Sequence, residues 1–477
     1  MTNMPSADNA SNSAAETPGA AENEPTRITW RMSVRKLFTN RNFTVFLITN
    51  WIFASLQVAG QYFNLYLRDI GIPYIGIGAL MSAMLIMVLI ATAIAGYLAD
   101  NYNRRNLAII TMVVNGLGFL LMSFAVNFWT AGLALFVIAS SNFTGQGGTA
   151  YIYETMDRKH SGVAVSLFTL GTLFGLGPLF VIALMLNSGL TLVEAMRPIF
   201  FFGAVVYFVS AGVRVVWLES TKIRERQKSG GMLRDFLHEN ARGLRMLARV
   251  FPVFITVMML DALSDSFYSF SNLFYVNETL AFGFGEINLM LLITLAVSIP
   301  ITLYLGQVFD RHGGRRITVA VYSVMPFALS LLILARVVQY VAPATWVNYL
   351  HSLYPGLEVV FSLAFIAVAT KATNDVLWGS VISTYVQKSL PRQELGKMLG
   401  LTTLLILATG IFGPFISGYI YQTFLDATPL LVMAIVLNVM ILIVLVTKSI
   451  EPRVKVEELE QETTTGPKLQ PDATANK

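Results

Sequence analysis

The chain has no cysteine among its 477 residues. A disulfide framework, a thiolate metal site and a thiol nucleophile are therefore excluded, and the redox compartment stays open. Histidine is scarce as well. The four, His160, His238, His312 and His351, fall in loops or surface segments with no paired metal-ligand spacing. Charge is the third shortage, at 13% of residues against the roughly 25% of a soluble domain. A Gly-rich loop ending in Gly-Lys-Ser/Thr is missing too, and no polar stretch is large enough for a nucleotide-binding domain, which disfavours an ATP-driven pump. The expectation is a protein that is not an enzyme and carries neither metal nor cofactor.

Apolar residues fill the space that charge leaves. They make up 55% of the chain, and the mean hydropathy is +0.62. Such a chain belongs in a bilayer. A net charge of +5 would admit nucleic acid as a partner, but the basic residues lie almost entirely between apolar runs, so none is expected. Residues 1–42 are polar and lack the apolar core and cleavage site of a secretory signal. They read as a disordered cytoplasmic tail, as does the Glu-rich end, 449–477.

A helix needs about 20 mostly apolar residues to cross the hydrocarbon core. Twelve such runs begin near Phe43, Ile75, Leu107, Thr130, Val163, Pro198, Val250, Glu286, Ile317, Gly356, Met398 and Thr428. Counting Lys and Arg on each side sets the orientation. Of the 33 in the chain, Arg68, Arg197 and Arg336 alone fall on one side if the N-terminus is cytoplasmic. Both termini are therefore expected in the cytoplasm. Arg214 lies near a helix end, where it can snorkel; Lys371 cannot easily do so. Residues 219–249 divide the runs into 43–218 and 250–448. This linker places Leu233, Phe236, Leu237, Leu244, Leu247 and Phe251 on one face with arginines largely elsewhere, as an interfacial helix on anionic headgroups would.

Two cytoplasmic loops repeat a pattern. "GYLADNYNRR" (96–105) and "GQVFDRHGGRR" (306–316) each read Gly, three residues, Asp, then a short turn ending in paired arginines, at corresponding places in the two halves. Gly96 and Gly306 allow close approach of a neighbouring backbone. Asp100 and Asp310 can accept from arginines or from a facing helix N-terminus. On these residues the chain resembles the major facilitator superfamily of secondary transporters, over roughly residues 43–448. The resemblance implies an all-α integral membrane fold of twelve transmembrane helices in two six-helix bundles. It also implies that Asp100, Arg104, Arg105, Asp310, Arg311, Arg315 and Arg316 help hold an outward-facing state. The first copy departs from the family, with Asn101 for a basic residue and Asn103 for the turn glycine. "GQGGTA" (145–150) is similar to part of a second family motif, but Phe143 stands where drug/proton antiporters place an arginine. "GTLFGLGP" (171–178) and "GIFGPFISG" (410–418) partly match an antiporter signature and read as kinks and tight packing sites.

In that fold spans 1, 4, 7 and 10 line a central cavity, and the polar residues of those runs follow helical spacing. They are Gln57, Gln61 and Asn64; Asn142, Gln146, Thr149 and Tyr153; Asp261, Asp265, Tyr268 and Asn272; and Lys371, Asn374, Asp375 and Trp378. At a rise of about 1.5 Å per residue, Lys371 and Asp261 sit at similar depth and can meet, with Asp375 as the other partner of Lys371. A charge near the bilayer centre costs about 2.5–3.5 kcal/mol even on a lenient scale, which favours a functional reason for these four. Three carboxylates against one ammonium leave an excess that protonation, a bound cation or a cationic substrate would relieve. Asp261 and Asp265, with Asp375, are thus the expected proton carriers; a static buried ion pair is the alternative. The sequence reads as a monomeric, proton-coupled carrier of a small organic solute in the plasma or inner membrane. Direction is open, and an uncoupled facilitator, a lipid flippase and a non-transporting receptor of the same fold remain as alternatives.

Overall fold

In lipid every backbone N–H and C=O must be satisfied within the protein, so apolar runs of this length form helices. The computed structural model describes residues 30–145, 148, 151, 167–168, 170–220, 241, 243–245, 247–249, 251–312, 315–389 and 395–448. Among them there are helices and no strand beyond one isolated bridge, Tyr340 to Ser362. In chain order the α-helices are α1 (Trp30–Thr39), α2 (Arg41–Gln57), α3 (Phe63–Asp69), α4 (Tyr74–Asn101), α5 (Arg104–Ser123), α6 (Phe128–Ser140), α7 (Leu176–Asn187) and α8 (Leu192–Trp217). Then follow α9 (Pro252–Phe274), α10 (Phe284–His312), α11 (Arg315–Leu334), α12 (Ala344–Leu353), α13 (Leu363–Ser389), α14 (Leu395–Gly410), α15 (Phe412–Phe424) and α16 (Thr428–Thr447). Among the described residues nine helical stretches are long and apolar enough to cross a membrane. α13 has the length but carries Lys371, Asn374 and Asp375, and it is not among the nine.

Local chemistry sets the boundaries. Asn40 caps α2 by accepting from Phe43 N–H at 3.2 Å, and reciprocal capping boxes, Asn127 with Thr130 and Thr191 with Glu194, start α6 and α8. Pro252 opens α9 at a position that has no use for an N–H. α2 and α3 form one span interrupted by a 3₁₀ turn, Val58–Tyr62, and α9 runs on into a π turn, Tyr275–Thr279.

Several expectations need correction. Residues 30–39 are helical, not part of a disordered tail: Leu37 buries beside Phe43, Phe46 and Leu47. The tenth run does not enter a span at Gly356, which makes a left-handed turn (φ 93°) into a 3₁₀ segment before α13 begins at Leu363. Between α11 and α13 lies α12, a short surface helix with no buried residue. Arg214 does not snorkel. It is 2% exposed, donates to Thr49 Oγ1 at 2.9 Å and Ala108 O at 2.7 Å, and lies 4.4 Å from the Phe46 ring centroid. The gaps between α2, α5 and α8 thus offer it acceptors that the lipid surface lacks. At the end of the linker, Leu247 and Phe251 bury against Phe254 and Val257, while Leu244 stays exposed.

The helices before residue 220 pack largely among themselves, α5 against α8 and α6 and α2 against α8; those after 251 do likewise, α11 against α13 and α9 against α16. α4 crosses between the groups to pack on α14 and α15, and α7 packs on α10. The α4–α15 contact is backbone to backbone: a Cβ on Gly418 would stand 2.5 Å from Tyr74 O and 3.1 Å from Gly78 Cα. Only glycine permits that approach.

Candidate functional site

α9 and α13 each present polar side chains every three or four residues, and this spacing turns them toward one another. Lys371 is 2% exposed. Its Nζ donates to Asp265 Oδ1 at 2.9 Å and to Asp375 Oδ1 at 2.5 Å, and it lies 4.8 Å from the Tyr268 ring centroid. The carboxylates are less hidden, with side-chain exposures of 45% for Asp265 and 37% for Asp375. Burying an ammonium costs several kcal/mol unless anions compensate, and here two do. The result is a cation sealed behind two carboxylates that keep open edges.

Asp261 does not meet Lys371 in these hydrogen bonds. It is 6% exposed and accepts from the Tyr322 hydroxyl and from Trp378 Nε1, each at 2.8 Å. It sits in the packing between α9, α11 and α13. The Tyr322 hydroxyl is also 2.8 Å from Asn438 Oδ1, which accepts from Ser264 Oγ at 3.0 Å. One phenol proton cannot serve two acceptors. Either the Asn438 amide turns its NH₂, otherwise without a partner among the described residues, toward Tyr322, or Asp261 supplies a proton of its own.

A cavity of about 350 Å³ lies beside this cluster. Asn64 of α3, Met81, Met84 and Leu85 of α4, Asp265, Ser266, Ser269 and Phe270 of α9, and Ile406 and Leu407 of α14 line it. Its polar atoms come mainly from α9 and Asn64; α4 and α14 form an apolar wall. Among the described residues that line the cavity, Asp265 is the one charged group.

The cavity is bridged on the side of the α3–α4 turn. Glu278, at the end of the π turn, receives Arg68 Nε at 3.0 Å, the Tyr74 hydroxyl at 2.9 Å and the Tyr421 hydroxyl. Tyr74 N–H donates to Gln422 Oε1 at 3.1 Å. Nearby the Tyr62 hydroxyl meets Asn288, whose amide donates to Leu179 O at 2.8 Å. Apart from Tyr421–Glu278, which lies wholly after 251, each of these ties joins a residue before 220 to one after 251. Alongside them, Arg336 reaches Asp426 at 3.2 Å. The Asp426 carboxyl sits below its ordinary range: part-burial opposes this, but hydrogen bonds from Thr428 N–H and hydroxyl and the Arg336 guanidinium outweigh it.

Of the side chains expected at a central cavity, Asn64 and Asp265 line this one. Lys371, Tyr268 and Asp375 stand behind or beside Asp265, while Trp378 is committed to Asp261. Gln57 reaches the Tyr207 hydroxyl of α8 at 3.3 Å, Gln61 is exposed, and Asn142 bonds to Ala139 O of its own helix at 3.0 Å. Asn272 Oδ1 and Asn374 Nδ2 are buried with no hydrogen-bond partner among the described residues. Gln146 and Tyr153 lie outside the described residues. Of the repeated loop motif, Gly96 lies within α4, Arg104 donates to Ala99 O at 3.2 Å, Arg105 to Val215 O, and Arg316 is exposed. Asp100, Gly306, Asp310, Arg311 and Arg315 fall in helices, but their side chains lie outside those described.

Sequence reasoning missed the Glu278 clamp, the Tyr322 partner of Asp261 with Asn438 beyond it, and the α4 and α14 walls. A signal existed for the first: Arg68 and Glu278 are opposite charges at the corresponding ends of spans 1 and 7. For the apolar walls there was none, since a methionine facing a cavity and one facing lipid look alike in a sequence.

A family model described as Major Facilitator Superfamily matches residues 38–377. No curated protein matches the chain. Solved structures do. The xylose transporter XylE from E. coli in its inward open conformation is 15% identical, with a TM-score of 0.61, covering 89% of this chain and 99% of its own. The nucleoside transporter NupG is 14% identical, with a TM-score of 0.61 over 84% of this chain and 98% of its own. A POT family transporter in complex with 5-aminolevulinic acid is 12% identical, with a TM-score of 0.60 over 86% and 95%. At such identities the likeness is one of fold.

Proposed function

The chain belongs to the Major Facilitator Superfamily, and from that premise we propose that it is a secondary active transporter that moves a small organic solute by alternating access, coupled to protons. In this reading the twelve expected spans form two six-helix bundles, 43–218 and 250–448, joined by the linker, with both termini in the cytoplasm of a plasma or inner membrane. The Arg68 end is then the outer face, and the Glu278 clamp is its closed gate. Rocking the bundles about a midplane site would break the clamp and expose the cavity to the outside.

One observation carries the proposal. A charged cluster costly enough to need a reason, Lys371 with Asp265 and Asp375, opens through Asp265 onto a cavity whose walls come from both parts of the chain. A purely structural ion pair has no need of that exposure. Asp265 and Asp375 share one ammonium, so binding or loss of a proton at either changes how tightly α9 and α13 hold together. Asp261, surrounded by neutral donors, is the second store for a proton.

The test is proton flux in proteoliposomes holding the purified protein, screened against sugars, organic anions, organic cations and amino acids. A solute that drives proton movement in the wild type should fail to do so in Asp261→Asn, while still binding. Concentrative transport that is unchanged in that variant removes Asp261 from the mechanism.

A further inference from the structure

The sequence leaves the sign of the solute's charge open, because it supplies an ammonium and carboxylates alike. The geometry separates them. Lys371 has three N–H donors; two are taken by Asp265 and Asp375, the Tyr268 ring lies alongside, and 2% of the side chain is exposed. It has no face to offer a ligand. Its partners do, at 45% and 37% exposure. When ionised, the three groups sum to one negative charge, which only the carboxylates display.

Most of the rest of the wall is apolar, with Asn64, Ser266 and Ser269 as its uncharged polar members. Met81 and Met84 bring deformable thioethers, Leu85 and Leu407 aliphatic surface and Phe270 an aromatic ring, all suited to an apolar body beside a cation. The volume, about 350 Å³, falls at the low end of the ~300–1,000 Å³ of small-molecule sites.

We infer that this cavity takes an amphipathic organic cation, a small molecule with one positive charge on an apolar or aromatic body, and rejects an anion of the same shape. The inference rests on the transporter reading for its consequence but not for its measurement, since binding can be read without transport. The cation sits against the open edge of Asp265, its body against α4 and α14. An anion would meet that carboxylate with the Lys371 ammonium unreachable behind it.

N-methyl-4-phenylpyridinium, 4-methylbiphenyl and biphenyl-4-carboxylate provide the probe set, the first two differing in little but the charged nitrogen. Binding of the radiolabelled cation to the purified full-length protein is measured in nanodiscs of uncharged phosphatidylcholine, with the other two as competitors. We expect saturable cation binding, competition by the neutral compound at least tenfold weaker than by unlabelled cation, and none by the carboxylate. Asp265→Asn should weaken cation binding at least tenfold, and Asp265→Glu should restore most of it, with melting temperature reporting that both variants fold. Equal competition by the anion, or cation affinity within twofold of wild type in Asp265→Asn, overturns the assignment. If the cation binds but never crosses a proteoliposome membrane, the site stands and the transporter reading falls. If it does not bind while some other solute is driven across, transport stands and this assignment falls.

Discussion

Lys371 donates to two carboxylates from an almost fully buried position, so the consequences of deleting it are asymmetric. Lys371→Met leaves Asp265 and Asp375 facing each other with no cation between them. Because both carboxylates keep access to water, the loss should sit near the low end of the range for broken buried pairs, about 3 kcal/mol. Thermal unfolding in detergent measures it, and removing charge from both carboxylates in the same background should recover much of the loss. Asp426 answers to pH instead. Its folded-state carboxyl titrates below its ordinary range, so the stability it adds is present above about pH 4, the unfolded value, and is lost as pH falls through the folded value. Asp426→Asn should therefore lower the melting temperature at neutral pH, and the two curves should converge in strong acid. A constant difference at every pH would assign Asp426 a role other than its charge.

Helices carry the next level. The polar stripes of α9 and α13 were legible as such because the spacing from Asp261 to Asn272 and from Lys371 to Trp378 follows the helical period. What that period cannot say is which neighbour each residue meets. Asp261 turned toward Tyr322, on a span whose polar residues look scattered in sequence, and toward Trp378, while Lys371 chose Asp265 over it. Gln57 likewise lies on the stripe of the first span yet bonds to Tyr207 of α8. Three-dimensional rotation of a helix, set by packing, decides these partners. The α4–α15 contact shows packing at its tightest, since Gly418 has no room for a Cβ beside Tyr74 O. Gly418→Val should destabilise this arrangement by about 1–3 kcal/mol, the usual cost of overpacking, and a melting curve unchanged from wild type would show that the two helices part easily.

Across the whole molecule, length, composition and the repeated loop motif were enough to read a helical membrane protein and its family, because lipid permits so few architectures. The boundaries of spans were less legible: α12 and the turn at Gly356 interrupt a stretch that hydropathy alone reads through. The clamp on Glu278 belongs to this largest scale, for its members come from four separate places in the chain and acquire meaning only when α3, α4 and α15 converge on the end of α9. Alternating access requires that clamp to be breakable. The absence of cysteine makes the direct measurement clean: Ser269→Cys in the cavity, probed with a membrane-impermeant maleimide applied to either face of sealed vesicles. The account predicts labelling from the cytoplasmic face in the otherwise wild-type protein, and a shift toward the outer face when Glu278→Gln weakens the clamp. Labelling from neither face, or a sidedness that Glu278→Gln leaves untouched, would contradict it.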